Sequence, residues 1–230
     1  MAWTDRRRRS VHAIRSAATA IRVVPAATGT IDSFSAGVGG VSSSVVTVTA
    51  DGADGSALGS GIVLDTDGLI LTNAHVVAAG SRFSVRLADG RTASATLVGS
   101  DAAADIALLR AGDLAGLTPA VLGSDATLRV GDAVLAFGSP LGLAGTVTSG
   151  IVSALDRPVD DMTGLIQTDA AINHGNSGGA LVDTAGRVVG INVAIATTGQ
   201  DEGSIGLGFA IPVDTVRAVV TRLTRGEEPA

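Results

Sequence analysis

The stretch Asn173-His174-Gly175-Asn176-Ser177-Gly178-Gly179-Ala180 decides how the rest of this chain is read. A serine set among glycines, with Asn176 before it, suggests a nucleophile on a tight turn that leaves its hydroxyl bare. Glycine admits positive φ and lets a substrate come close to the backbone. It also lets successive N–H groups point into one small space, the arrangement that holds a developing oxyanion. Taken alone, the stretch reads first as loop punctuation, because glycine and serine cluster in turns. Its company elsewhere in the chain changes that reading.

A serine hydroxyl is a weak nucleophile at neutral pH. It needs a base within hydrogen-bond reach, itself oriented by a third group. The chain has three histidines. His12 lies in an Arg-rich leader, and His174 stands three residues before the serine. His75 follows an apolar, strand-like run over 61–71, in Thr72-Asn73-Ala74-His75-Val76-Val77. Downstream, Asp105 stands at the mouth of the apolar run Ile106-Ala107-Leu108-Leu109. A buried carboxylate is costly unless paired, and a histidine N–H is a natural partner. Asp101 is the local competitor for that role. The order His75, Asp105, Ser177 is the chymotrypsin-like chain order.

The surrounding pattern is β. Val45, Val46 and Val48 open it, and the runs 62–64 and 69–71 form a hairpin around Asp67-Gly68. The runs 83–87 and 92–98 form another around Asp89-Gly90, and 106–109 closes the first half. A second half begins near Val121 and continues through 133–137, 147–154, 165–168, 180–182, 188–196 and 207–211. Many short strands separated by turn signals indicate barrels or a sandwich. Pro212 opens a helix to Arg225 whose buried face is Val213, Val216, Val219, Val220 and Leu223.

Three strings, TNAHVV, DIALL and TDAAINHGNSGGAL (168–181), closely resemble the HtrA/Deg family of serine proteases. Further matches are Gly59-Ser60-Gly61-Ile62-Val63, Gly138-Ser139-Pro140-Leu141-Gly142, the run 146–153, and 206–212. They cover about 41–223 in the family's order. The resemblance implies an all-β, chymotrypsin-like double six-stranded barrel with a short C-terminal helix. The protease domain would occupy 41–225: barrel one 41–112, barrel two 121–211, helix 212–225 and a tail 226–230. It implies peptide-bond hydrolysis, with His75 as base, Asp105 as its orienter and Ser177 as nucleophile. Backbone N–H groups of Gly175 and Ser177 would hold the oxyanion, aided by Asn176 in the same turn. Ala171, Ile172 and Leu207 would line a small apolar specificity pocket, favouring cleavage after Val, Ile or Ala rather than Lys or Arg.

Two departures from the family stand out. His174 replaces the more common Pro or Arg, and is either an idle exposed side chain or a source of pH dependence near neutrality. The chain ends shortly after the helix, where the family usually continues into PDZ domains, so none is expected within this sequence. The implied substrates are misfolded or unstructured proteins, cleaved without ATP in an extracytoplasmic compartment. The alternative is the same fold at rest, holding peptides as a chaperone. Family trimers assemble through the N-terminal part of the protease domain, often through aromatics. The resemblance therefore allows a homotrimer, for which the leader offers only Trp3 and Phe34.

Composition bounds these readings. Residues 1–40 carry six arginines against two aspartates, a net of +4 within a total of −6, so the remainder carries −10. An acidic body argues against nucleic acid, which requires a basic face. With no cysteine there is neither a disulfide nor a thiolate metal site, and no residue pattern suggests a metal or organic cofactor. In the leader, Val11, Ile14, Ala18 and Ile21 recur at helical spacing with Arg15 and Arg22 between them. It reads as a surface helix or disordered arm, or else as a targeting segment. Residues 28–44, rich in Gly and Ser, read as a linker.

Overall fold

The computed structural model describes residues 34–53, 55–112, 114–139, 145–193 and 204–226. The helical periodicity over 10–24, together with Trp3 and His12, lies outside them, as do Pro140, Leu141, Gly142 and the 194–196 end of the strand expected at 188–196. A helix α1 (Phe34–Val41) leads through a 3-10 turn (Ser42–Ser44) into β1 (Val45–Gly52), β2 (Gly55–Val63) and β3 (Leu69–Thr72). A one-turn helix α2 (Ala74–Val77) precedes β4 (Arg82–Arg86), β5 (Thr92–Asp101) and β6 (Ile106–Ala111). The second half comprises β7 (Ala133–Gly138), β8 (Thr146–Val159), β9 (Met162–Thr168), β10 (Ala180–Asp183), β11 (Val188–Val193) and β12 (Gly208–Pro212), followed by α3 (Val213–Thr224). The strands close into two antiparallel barrels, ordered β1-β2-β3-β6-β5-β4 and β10-β11-β12-β9-β8-β7. The expected double six-stranded architecture is observed.

Burial on both faces explains the apolar runs. Ile70 and Leu109 belong to the core of the first barrel with Val46, Val48 and Val85. Their neighbours Leu71 and Leu108 belong to a second core, shared with Leu135, Phe137 and α3. In the second barrel Val134 and Ala136 face one core, while Leu135 and Phe137 face the shared one. Such strands read as continuous hydrophobic segments rather than alternating ones. The Asp67-Gly68 hairpin pairs Ile62 with Leu71 and Val63 with Ile70, as its turn residues indicated.

Three features depart from the sequence reading. Where a linker was expected, α1 packs Val38 and the buried Val41, three residues apart, against the shared core. That contact outweighs the roughly 1 kcal/mol that each helical glycine costs. No strand starts at Val121; Leu122 forms only an isolated parallel bridge with Val188, because the chain then turns to meet the start of α3. β8 also runs well past 154, with register shifts between Val152 and Val159 and Asp156 at φ 55°.

The buried face of α3 is the expected set, Val213, Val216, Val219, Val220 and Leu223. Full burial of such a side chain contributes about 1.5–3 kcal/mol. Its N-terminus lacks a side-chain cap from Pro212. Asp125 supplies one from the preceding loop, its Oδ1 accepting the Asp214 N–H at 2.7 Å. Ser124 Oγ donates to Asp214 Oδ2 at 3.0 Å, and Arg217 pairs with Asp214. Burial, reinforced by the nearby Asp214 charge, raises the Asp125 pKa above its ordinary 3.8 despite the Asp214 N–H. A carboxylate with a raised folded-state pKa contributes stability at low pH that is lost as pH rises through that pKa.

Asp125→Asn keeps the acceptor and removes the charge. The variant is expected to melt higher than the parent at pH 7, by on the order of 1–3 °C. The difference should narrow as pH falls below the ordinary carboxylate range, where Asp125 is protonated in both the folded and the unfolded chain. A lower Tm for the variant at pH 7 would overturn this account.

Candidate active site

The short helix α2 begins at Asn73, whose backbone is still extended at φ −81°, ψ 150°. The buried Asn73 side chain donates from Nδ2 to the Asp105 carbonyl at 2.9 Å. The Asp105 carboxylate then holds the next element twice. Its Oδ1 accepts the His75 backbone N–H at 2.9 Å, and its Oδ2 lies 2.8 Å from His75 Nδ1. A carboxylate only accepts, so this pairing calls for the imidazole proton on Nδ1 and leaves Nε2 as the nitrogen with the lone pair. The two side chains differ in exposure, 47% for His75 and 12% for Asp105, so the ring stands at a surface with its orienter behind it.

Asp105 reaches this position through a left-handed backbone, φ 51°, immediately before β6. Aspartate tolerates that region better than most residues. Asp101, the competing carboxylate, is committed elsewhere: its Oδ1 accepts the Ala104 N–H at 3.0 Å, and it pairs with Arg222 of α3.

Ser177 comes from the other barrel, yet its backbone lies against the His75 segment. The Ser60 N–H of β2 donates to the Ser177 carbonyl at 2.8 Å. A Cβ on Gly59 would meet both the Val76 methyls at 2.8 Å and the Ser177 carbonyl at 3.2 Å. A Cβ on Gly178 would fall 2.2 Å from the Ser60 carbonyl and 2.5 Å from Thr72 Oγ1, so only glycine fits there. The fold thus brings His75, Asp105 and the Ser177 backbone to one place on the seam between the barrels.

The turn before Ser177 is well defined. The Asn176 N–H donates to the Asn173 carbonyl at 2.9 Å, which makes His174 and Gly175 the central residues of a β-turn. Gly175 has φ 95°, while His174 is not among the positive-φ residues. This is a type II turn, whose third position requires φ above zero. Among the described residues, no protein acceptor takes the Gly175 N–H. The Asn176 amide faces inward, Nδ2 reaching the Ala171 carbonyl at 3.3 Å, and its backbone N–H closes the turn.

Of the expected pocket residues, Ile172 is buried, and a Cβ on Gly208 would fall 2.9 Å from its Cδ1. Ala171 is half-buried and presents its carbonyl to Thr148 Oγ1 at 2.9 Å. Leu207 is 51% exposed. His174 is exposed on the turn. Among the described residues no cluster of His, Asp or Glu could hold a metal ion.

Sequence reasoning missed Ser60, Ser139 and Asn192, all buried polar residues at the seam. Asn192 donates from Nδ2 to the Phe137 carbonyl at 3.0 Å, and its own carbonyl accepts the Gly178 N–H at 3.0 Å. The available signal was a hydroxyl in the middle of Gly59-Ser60-Gly61-Ile62-Val63, a strand otherwise made of glycine and aliphatics.

Residues 59–191 match the family model of the trypsin-like peptidase domain. The chain is 49% identical to the serine protease PepD of Mycobacterium tuberculosis, over 90% of this chain and 50% of that protein. It is 47% identical to the periplasmic serine endoprotease DegP of Escherichia coli, over 73% of this chain and 36% of that protein. It therefore spans half or less of the length of these relatives. A solved structure of the HtrA-type protease AlgW with a tripeptide superposes with a TM-score of 0.79 at 41% identity, over 84% of this chain and 64% of that one. The chain belongs to the trypsin-like peptidases, within their HtrA/Deg group.

Proposed function

We propose that this chain is an ATP-independent serine endopeptidase acting on misfolded or unstructured protein. The observation that carries the proposal is the double grip of Asp105 on the His75 ring and backbone, at 2.8 and 2.9 Å, beside the Ser177 turn. In this mechanism His75 Nε2 takes the Ser177 Oγ proton as that oxygen attacks the peptide carbonyl. Asp105 holds the tautomer and stabilises the imidazolium. The imidazolium then gives its proton to the leaving amine, and water activated by the same histidine releases the acyl group. The Gly175 and Ser177 N–H groups hold the oxyanion, each such donor contributing about 3–4 kcal/mol to the transition state.

The type II turn supports this reading over a resting, peptide-holding one. A type I turn would rotate the His174–Gly175 peptide and aim the Gly175 N–H away from the same space, with Gly175 at negative φ. The observed φ of 95° belongs to the first arrangement. The extracytoplasmic location proposed here rests on relatives named periplasmic, DegP and DegQ of E. coli. No helix among the described residues is long and apolar enough to cross a membrane.

The first test treats the purified chain with a fluorophosphonate probe and follows unfolded casein, beside Ser177→Ala. Labelling and cleavage are expected in the parent, with a loss on the order of 10⁶ in kcat for the variant. A folded parent chain that does not label rejects the proposal in favour of the peptide-holding alternative.

Specificity follows from Ala171, Ile172 and Leu207, none of which offers a charge. Peptides with Val, Ala or Ile before the cleaved bond are expected to exceed Lys or Arg peptides in kcat/KM by at least about 10²-fold, the cost of an unpaired buried charge. Comparable rates would remove these residues from the pocket.

His174 occupies the second position of the turn, where proline is favoured in type II. His174→Pro should stiffen the turn by about 0.4–1 kcal/mol. Labelling should then proceed about two- to fivefold faster if the turn limits activity; slower labelling would show that the His174 N–H or ring serves the site.

A further inference from the structure

Ser60 stands at the middle of the seam, and the proposed protease mechanism leaves its side chain without a role. Its hydroxyl is buried, which removes solvent as a competitor. The Ser60 Oγ accepts the Ser139 N–H at 2.8 Å. It donates its one proton to the Gly175 carbonyl at 2.6 Å. A serine hydroxyl has a single donor, so acceptance from Ser139 and donation to Gly175 together fix its rotor. The Ser60 main chain meanwhile donates to the Ser177 carbonyl at 2.8 Å. One residue of barrel one therefore holds the carbonyls at both ends of Gly175-Asn176-Ser177, one end through its hydroxyl and the other through its backbone.

That grip matters because the turn has a soft coordinate. The His174–Gly175 peptide can rotate about its neighbouring bonds, exchanging type II for type I geometry. The start of the turn is tied down at Asn173, whose Oδ1 accepts the Ser204 N–H at 2.7 Å. The end of the turn is closed by the Asn176 N–H. The Gly175 carbonyl and the Asn176 N–H belong to one planar peptide unit, the fixed end against which the His174–Gly175 peptide rotates, and glycine itself imposes no preference between the two forms. That unit is held from two sides, by Ser60 Oγ on its carbonyl and by the Asn173 carbonyl on its N–H, and only the first tie comes from the other barrel.

We infer that Ser60 is a positioning residue for the oxyanion turn: its buried hydroxyl fixes the Gly175 carbonyl and so aims the Gly175 N–H at the developing oxyanion. The inference rests on the protease reading of Ser177. Ser60 touches neither substrate nor the reacting atoms in this role; it acts through Gly175. Its effect belongs to the transition state, where the oxyanion exists, rather than to substrate binding.

The test compares Ser60→Ala and Ser60→Cys with the parent chain on a cleavable peptide. Two inhibitors of matched sequence are added, a peptide boronic acid that forms a tetrahedral adduct on Ser177, and an uncleavable peptide that does not. For Ser60→Ala, kcat is expected to fall about 10- to 100-fold, short of the loss of a whole oxyanion donor. KM should stay within about twofold, as for an interaction made only in the transition state. The boronate Ki should rise by the same factor as kcat/KM falls, while the uncleavable peptide binds as before. Ser60→Cys conserves shape but donates weakly; it should give an intermediate loss with the same split, and it carries the test if the Ala variant does not fold. Parent-like kcat in either folded variant overturns the inference. So does equal weakening of boronate and peptide, which marks a merely structural role. A parent chain with no turnover instead removes the protease reading, and the inference with it.

Discussion

At Gly178 the backbones of the two barrels touch, and much of the site follows from that contact. The residue has φ 82°, and a Cβ there would collide with the Ser60 carbonyl and with Thr72 Oγ1. Its N–H is taken by the Asn192 carbonyl and the neighbouring Gly179 N–H by that of Asn176. The chain bearing Ser177 is thereby pressed onto the ends of β2 and β3, directly before the helix that carries His75. A side chain at 178 could not be placed without parting the backbone of β2 from the Ser177 segment.

Apolar burial alone could not fix this contact. The shared core joins Ile62, Leu71 and Leu108 of the first barrel to Leu135, Phe137 and Val182 of the second. It drives the barrels together, but hydrophobic attraction is non-directional and tolerates small slips. Register comes from the polar groups buried along the seam. Ser60 bonds Gly175, Ser177 and Ser139, and Thr47 bonds Ser139. Buried hydrogen bonds of this kind define one arrangement because leaving any of them unmade is costly.

The same distinction decides what the sequence could disclose. Apolar runs and hairpin turns are local, so the strands around Asp67-Gly68 and Asp89-Gly90 were legible, as was the buried stripe of α3. The pairing of His75 with Asp105 was legible too, through the cost of a carboxylate at the mouth of an apolar strand. What escaped was decided by distant partners. The helix Phe34–Val41 contains three glycines and forms because Val38 and Val41 find a core. Ser60 meets Gly175 across 115 positions and Ser139 across 79, and no local pattern marks a serine that will find such partners. Asp101 and Asp105 differ less in sequence than in destination, since Arg222 of α3, 121 positions on, captures the first.

The two parts of the site are therefore held by different means. His75 and Asp105 lie in one barrel, joined by contacts among β3, α2 and the loop before β6, and the hydrogen bonds that pair them come from that barrel. The Ser177 turn belongs to the second barrel and is closed by its own Asn173–Asn176 bond, but it is also held by the hydroxyl and backbone N–H of Ser60 from the first. A slip of a fraction of an ångström at the seam would leave the His75–Asp105 pair intact and misplace the Gly175 N–H. With the Gly175 N–H as the proposed oxyanion donor, which acts through close, aligned hydrogen bonding, such a slip would suppress chemistry before it disturbed the fold. On the proposed protease reading, barrel docking is a condition on activity, and on the Ser60 inference its sensitivity follows the few directional bonds at Ser60 rather than the extent of the shared core.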